Sequence, residues 1–312
     1  MEPVAVPCMA MSEWLVSIAG TPLGQEISMG LALLAALLHA VFGALQKGQR
    51  ADPWKSRAVI DMTAAAMAAP CALFVVPWPE PHMWPIFAGM LAIHLAYKFL
   101  QAATYARGAY TVVYPVVRGA APLFAVLGAY LFFGEVFAPL QFGGVLVLVG
   151  AIFGLAYYNM RTIVLNRETL GPALGFAVAT GGFVALYTTY DAFGIRSTAD
   201  PFTFLAWFFL IDGLSFPLVI RRRWYPIRPG EVRPLLRLGL IGAVTAFFSF
   251  GAIMIATRIG DVGQAAVLRE TSTAFAALIG WVMLGEKVGP VRTALMLLIA
   301  SGAVLVQVGA VH

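Results

Sequence analysis

Apolar segments long enough to cross a bilayer recur down the whole chain, and they leave little freedom for any other architecture. A helix needs about 20 mainly apolar residues to span the hydrocarbon core. Ten segments meet that length: 27–46, 57–78, 83–105, 109–133, 138–158, 170–192, 202–220, 234–257, 261–284 and 289–309. The joints between them carry breakers and charges, as in Pro77-Trp78-Pro79-Glu80-Pro81, Gly134-Glu135, and Arg221-Arg222-Arg223 followed by Pro226 and Pro229. Runs such as Leu31 to Leu38 and Leu295 to Ala300 do not alternate, which argues against the strands of a membrane barrel. Only 11% of the 312 residues are charged and 61% are hydrophobic, whereas soluble domains carry roughly 25% charged residues. The expected fold class is an all-α integral membrane protein of ten transmembrane helices.

Charge then sets an orientation. Joints after the odd-numbered segments hold fifteen basic residues, among them Arg50, Lys55, Arg57, Arg107, Arg161, Arg167, Arg221, Arg222, Arg223 and Lys287, while the opposite face holds only Arg196 and Arg258. The positive-inside rule places the fifteen-residue face in the cytoplasm and both termini outside it. The net charge of +5 follows from these loop arginines and makes no nucleic-acid surface. Cys8 and Cys71 are too few for a disulfide scaffold or a metal site. Residues 1–26 contain Glu2, Glu13 and Glu26 without Lys or Arg and so do not read as a secretory signal. Within them, residues 9–20 suit either a short surface helix or a disordered tail.

The two halves match at an offset of 151 residues. Arg107 falls on Arg258, Arg118 on Arg269, Phe124 on Phe275, Ala125 on Ala276 and Gly134-Glu135 on Gly285-Glu286. Five crossings per copy reverse the orientation of the second copy. The expected result is two inverted five-helix repeats about a pseudo-two-fold axis in the membrane plane, an arrangement of secondary transporters. The segments Arg118-Gly119-Ala120-Ala121-Pro122 to Gly134-Glu135, and Leu268-Arg269-Glu270-Thr271-Ser272 to Gly285-Glu286, resemble the doubled EamA domain of the drug/metabolite transporter superfamily. That resemblance implies an N-terminal tail (1–26), a first EamA-like repeat (27–158), a linker (159–169) and a second repeat (170–309). It further implies a central cavity and export of metabolites, amino acids or foreign compounds across a bacterial inner membrane. The small multidrug exporters of the superfamily carry a proton-binding glutamate midway along their first helix. Neither helix 1 nor helix 6 has a central carboxylate here, so that exchange mechanism does not carry over.

Charged groups inside a span are costly and tend to face a cavity or a partner. Arg118, flanked by Pro115 and Pro122, and its repeat-equivalent Arg269 could each hold a carboxylate or phosphate through the guanidinium fork. The alternative for Arg118 is an ion pair with an acidic group on another helix. Glu270 is a further substrate-contact candidate, and neighbours in a helix point about a hundred degrees apart, so it does not face the same way as Arg269. Thr271 and Ser272 could hydrogen-bond across the bundle. His94, Lys98, Gln101 and Tyr105 form one polar stripe at helical spacing, suited to a wet cavity. Tyr187 and Tyr190, with Phe183, could line the same cavity. Asp212 is a deep carboxylate, either a proton carrier or the partner of Arg118, Arg269 or Lys98. His39, with Gly43 one turn on, and His94 could take part in proton coupling or be neutral packing groups. Asp191 and Asp61 read as interfacial caps or charges, and Glu135 and Glu286 as packing and loop residues, with a contribution to gating as the alternative.

The leading functional expectation is a secondary transporter, outward in direction, of a small polar or amphipathic metabolite such as an amino acid. Its partners are that solute and the lipid bilayer, with no cofactor and no metal. A monomer is compatible with the doubled chain, as is a homodimer. The alternatives are a lipid or lipid-linked head-group flippase, a channel, or a membrane enzyme. Neither an H-E-x-x-H metal signature nor a G-x-x-x-x-G-K-[ST] phosphate loop is present, which argues against an enzyme and a primary pump.

Overall fold

The structure, a computed structural model, describes residues 5–47, 53–107, 110–163, 170–224, 226–284 and 289–310. Every regular element among them is a helix. In chain order these are α1 (Ala5–Ser17), α2 (Pro22–Lys47), α3 (Pro53–Phe74), α4 (Met83–Arg107), α5 (Tyr110–Phe133), α6 (Pro139–Ile163) and α7 (Leu170–Arg196). They continue as α8 (Pro201–Val219), α9 (Arg221–Trp224), α10 (Pro229–Ile259), α11 (Val262–Arg269), α12 (Ser272–Leu284) and α13 (Pro290–Val308). Nine of these helices are long and apolar enough to cross a membrane. Apolar side chains left uncovered, such as Leu131, Phe132, Leu236 and Leu297, suit a lipid surround.

Two sequence expectations are corrected or refined. The segment 261–284 is not one continuous helix: it is broken between α11 and α12 at Glu270 and Thr271. The N-terminal stretch is a helix, α1; its Leu15, and Ile18 just beyond its end, pack on Ile259. Gly20 then turns the chain at φ +74° and donates its N–H to the Ile259 carbonyl at 2.9 Å. Arg50, Arg167, Tyr225, Gly285, Glu286 and Lys287 lie outside the described residues, as does the side chain of Tyr105.

The chain divides into two compact units, Met1–Leu95 with Asp191–Gly260, and Ala96–Tyr190 with Asp261–His312. In the first, α2 runs antiparallel to α10. The Ser28 hydroxyl donates to the Ala256 carbonyl and the Ser249 hydroxyl to the Ala35 carbonyl, both at 2.9 Å. Helix α8 approaches α3 closely at Gly213, where a Cβ would lie 2.5 Å from the Asp61 carbonyl oxygen. Outside the spans, Glu80 accepts from the Thr198 hydroxyl at 3.1 Å and the Ala199 N–H at 3.2 Å. Burial pushes the Glu80 carboxyl up, but these bonds and its own backbone N–H outweigh it and hold the group below the usual carboxylate range.

In the second unit α6 and α13 run antiparallel and meet through small residues. Gly144 sits against Gly302 and Val306, Gly302 against Leu148, and Gly309 against Gln141. Without a hydrophobic driving force between helices in lipid, such close backbone approach is what makes a helix pair adhere. Here α4 and α7 also pair, Tyr97 with Tyr187 (ring centroids 4.9 Å apart), Thr104 with Thr180 (2.8 Å) and Arg107 over the Phe176 ring (4.6 Å).

These contacts repeat under the 151-residue offset seen between Arg118 and Arg269. Shifted by that offset, Ser28 and Ala256 become Ala179 and Tyr105, one residue from the touching pair Thr180 and Thr104. Ala35 and Ser249 become Leu186 and Lys98, one residue from Tyr187 and Tyr97. Gln141 and Gly309 become Arg292 and Tyr158, which meet at 5.8 Å. The internal symmetry is therefore one of contacts as well as of sequence.

The glycine contacts yield a paired test on one helix. A Cβ at Gly144 would lie 2.7 Å from the Gly302 oxygen and the Val306 nitrogen, whereas one at Gly150 meets nothing within 4 Å. Gly144→Ala is expected to destabilise by ~1–3 kcal/mol through overpacking. Gly150→Ala should be neutral or stabilising by up to about 1 kcal/mol. Thermal unfolding in detergent, followed by circular dichroism, checks both.

Candidate functional site

The break between α11 and α12 arises from the residues that occupy it. The amides of Glu270, Thr271, Thr273 and Ala274 all bond three residues back instead of four, to Val267, Leu268, Glu270 and Thr271. The Thr271 hydroxyl takes the Leu268 carbonyl as well, at 2.7 Å. This is a tightened turn in which side-chain hydroxyls compete with the helix ladder. The Thr273 amide bonds to Glu270, and the Arg269 carbonyl instead receives an N–H of Arg118 at 3.5 Å. On α5, Pro122 lacks the amide that would bond to the carbonyl of Arg118, four residues earlier. Both repeat-equivalent arginines therefore sit where the backbone ladder is interrupted.

Around that break the side chains form a buried polar cluster. Arg118 Nε lies 2.7 Å from Glu270 Oε2, and both side chains are under 5% exposed. Arg118 Nη2 donates to the Ser272 hydroxyl at 3.0 Å. Tyr114 hydrogen-bonds with Ser272. Tyr114, Tyr187 and Tyr97 stand within electrostatic reach of the guanidinium, and Gln101 donates to the Tyr97 hydroxyl at 2.6 Å. Arg269, Thr271 and Thr273 are buried beside them in sequence. The cluster presents a cation, an anion, hydroxyls and aromatic faces, with Arg118, Glu270, Ser272, Tyr97 and Tyr187 buried and Tyr114 and Gln101 partly so.

The Gly-Glu pair that closes α5 has a defined job. Gly134 adopts φ +68°, a left-handed turn that ends the helix. Glu135 then accepts from the amides of Val262 at 2.7 Å and Gly263 at 2.8 Å, neutralising the positive end of α11. The carboxylate so fixes the start of the short helix whose other end carries Arg269 and Glu270.

In the first unit a second polar cluster centres on His94 of α4. Its Nε2 lies 2.9 Å from Asp191 Oδ2 on α7, and its Nδ1 lies 3.5 Å from Asp212 Oδ1 on α8. His94 and Asp191 are buried and Asp212 is half-buried. Phe208 presents its ring at 5.2 Å in an edge-on arrangement. Among the described residues, no group of His, Cys, Asp or Glu has the arrangement of a metal site.

Most sequence candidates fall into these two clusters. Arg118, Glu270, Gln101 and Tyr187 share the first, with Arg269 at its edge. His94 and Asp212 share the second. Lys98 is buried on α4 and Tyr190 is half-buried on α7, while His39 on α2 has Phe42 as ring neighbour at 6.3 Å. Arg118 takes the alternative of an ion pair with an acidic group of another helix, Glu270, and one contact of Asp212 is His94. Two expectations change. Asp191 is not an interfacial cap but a buried partner of His94. Glu135 does more than pack, because it caps α11. Tyr97 and Tyr114 were missed. Tyr97 lies one residue off the stripe that was read, and Tyr114 precedes a proline and looks like an ordinary span aromatic.

The ion pair makes a stability prediction. Glu270→Leu alone leaves a buried guanidinium without its carboxylate, a loss of ~3–5 kcal/mol. The double variant Arg118→Leu/Glu270→Leu removes both charges and should recover much of that loss. Thermal midpoints of the wild type, both single variants and the double variant in detergent measure the coupling.

Comparison with known proteins agrees with this arrangement. Residues 171–308 match the EamA-like transporter family. A solved protein crystal structure superposes with a TM-score of 0.70 at 18% identity, over 91% of this chain and 98% of that one, and so shares the fold. No curated protein matches the chain. The family match covers the C-terminal part of the chain, and the chain as a whole is an all-α protein with nine helices, among the described residues, long and apolar enough to cross a membrane.

Proposed function

We propose that this protein is a secondary transporter that moves a small polar or amphipathic metabolite, such as an amino acid, outward by alternating access. The observation that carries the reading is the interrupted segment 262–284 with the Arg118–Glu270 pair seated at its break. Discontinuous helices near the middle of the membrane are where secondary transporters bind substrate and coupling ions. Non-helical backbone at that depth is tolerated only where it is buried in protein or lines a cavity. The match of residues 171–308 to a transporter family supports the same class.

On this reading the broken segment is the tenth crossing, and the chain is two inverted repeats, 27–158 and 170–309. The recurrence of helix contacts at the repeat offset supports that assignment. Two structurally equivalent halves can exchange conformations, which exposes one site to each side in turn.

The ion pair suggests how solute would enter the cycle. A zwitterion brings a carboxylate for the Arg118 guanidinium and an ammonium for the Glu270 carboxylate. It can replace each partner of the pair, so that opening the pair leaves no buried charge uncompensated. The tyrosines at Tyr97, Tyr114 and Tyr187 supply hydroxyls and ring faces for the remainder of such a molecule.

Transport by purified full-length protein in sealed liposomes tests this directly, with a panel of amino acids and small carboxylate metabolites. Saturable uptake and counterflow of at least one compound are expected, with a drop of about tenfold or more in Arg118→Ala, on the order of 1.4 kcal/mol or more. Flux that rises linearly without saturation, or none across the panel, would contradict the reading.

A further inference from the structure

We propose that His94, Asp191 and Asp212 form a buried proton-binding site, in which the imidazole holds one exchangeable proton more than a neutral histidine carries. The argument is one of donors and acceptors. A neutral imidazole has one N–H and one bare lone pair, and an ionised carboxylate only accepts. Both ring nitrogens of His94 face a carboxylate oxygen, Asp191 Oδ2 at 2.9 Å and Asp212 Oδ1 at 3.5 Å. With both carboxylates ionised, whichever nitrogen carried the single proton, the other would turn its lone pair on a carboxylate. His94 and Asp191 are buried and Asp212 is half-buried, so little water is left to screen the conflict. One added proton resolves it: each ring nitrogen then donates to its own carboxylate, and two charge-assisted contacts replace one attraction and one repulsion.

The surroundings favour retention of that proton and also its release. Two carboxylates flank one imidazole, and opposite charge at this range stabilises the protonated ring. Charged groups of the neighbouring turns include Lys98, one turn further along α4, whose charge works against the added proton, and Asp61 of α3, whose backbone meets Gly213 beside Asp212 and whose carboxylate is held by Arg57 at 2.9 Å. His94, Asp191 and Asp212 stand on three different helices, α4, α7 and α8. A shift of any one helix by an ångström or so changes the distance from ring to carboxylate and hence the hold on the proton. Release alters the buried charge by one unit, which is the change a proton-coupled cycle requires.

The site can be titrated without any solute. The chain has four histidines, so ¹⁵N-histidine labelling of the full-length protein in lipid nanodiscs gives few imidazole signals, and His94→Gln identifies the one that matters. At pH 7 both nitrogens of His94 are expected to be protonated in the wild type. Asp191→Asn and Asp212→Asn should each lower the titration midpoint by about 1–3 pH units. A neutral His94 ring with a single N–H at pH 7, or a midpoint that neither asparagine variant moves, would overturn the proposal. The wild-type spectrum decides the proton count even if a variant fails to fold. Loss of solute flux with an intact titration would count against the carrier reading alone.

Discussion

The guanidinium of Arg118 and the carboxylate of Glu270 meet at 2.7 Å inside a chain that is otherwise built for lipid. Neither charge could sit there by itself, since an unpaired buried ion costs several kcal/mol. The backbone around them is arranged accordingly. A tightened turn at Glu270 and Thr271 leaves the Arg269 carbonyl to an N–H of Arg118, and the Ser272 hydroxyl takes another contact from the same guanidinium. Glu135 fixes the far end of α11, so the carboxylate of Glu270 is delivered by a helix anchored at both ends. The helix is broken, yet its position is well determined.

Elsewhere the bundle adheres by proximity instead of by expulsion of water. Gly144 and Gly302 bring α6 and α13 to backbone contact, and Gly213 does the same for α8 against α3. Serine and threonine hydroxyls add bonds between α2 and α10 and between α4 and α7. Because these contacts recur at the repeat offset, one local solution serves two helix pairs. Arg118 itself reaches the backbone of Arg269, the residue at the same offset of 151.

Much of this was legible in the sequence, for identifiable reasons. Long apolar runs with prolines and arginines between them announce membrane helices, and nine appear among the described residues. Charges within such runs stand out, which is how Arg118, Glu270, His94 and Asp212 were found. What could not be read was who meets whom. Asp191 lies near the end of α7 and looked like a cap, because only the packing of α7 on α4 turns it toward His94. Likewise Asp212 was an open choice among several cations, since sequence spacing says nothing about contacts between helices distant in the chain. The break at Glu270 was hidden for a different reason. Arg-Glu-Thr-Ser contains neither Gly nor Pro, and the interruption depends on Thr271 taking the Leu268 carbonyl and on Arg118 taking the Arg269 carbonyl. The first is local, but the second comes from another helix.

The central claim is that the broken segment forms a site opened to each side of the membrane in turn. Ser272→Cys, in a chain with Cys8 and Cys71 replaced by serine, places a single thiol against Arg118. A membrane-impermeant thiol reagent applied to right-side-out and to inside-out vesicles measures which face can reach it. The account predicts labelling from both faces. Labelling from one face only, or from neither, would contradict it.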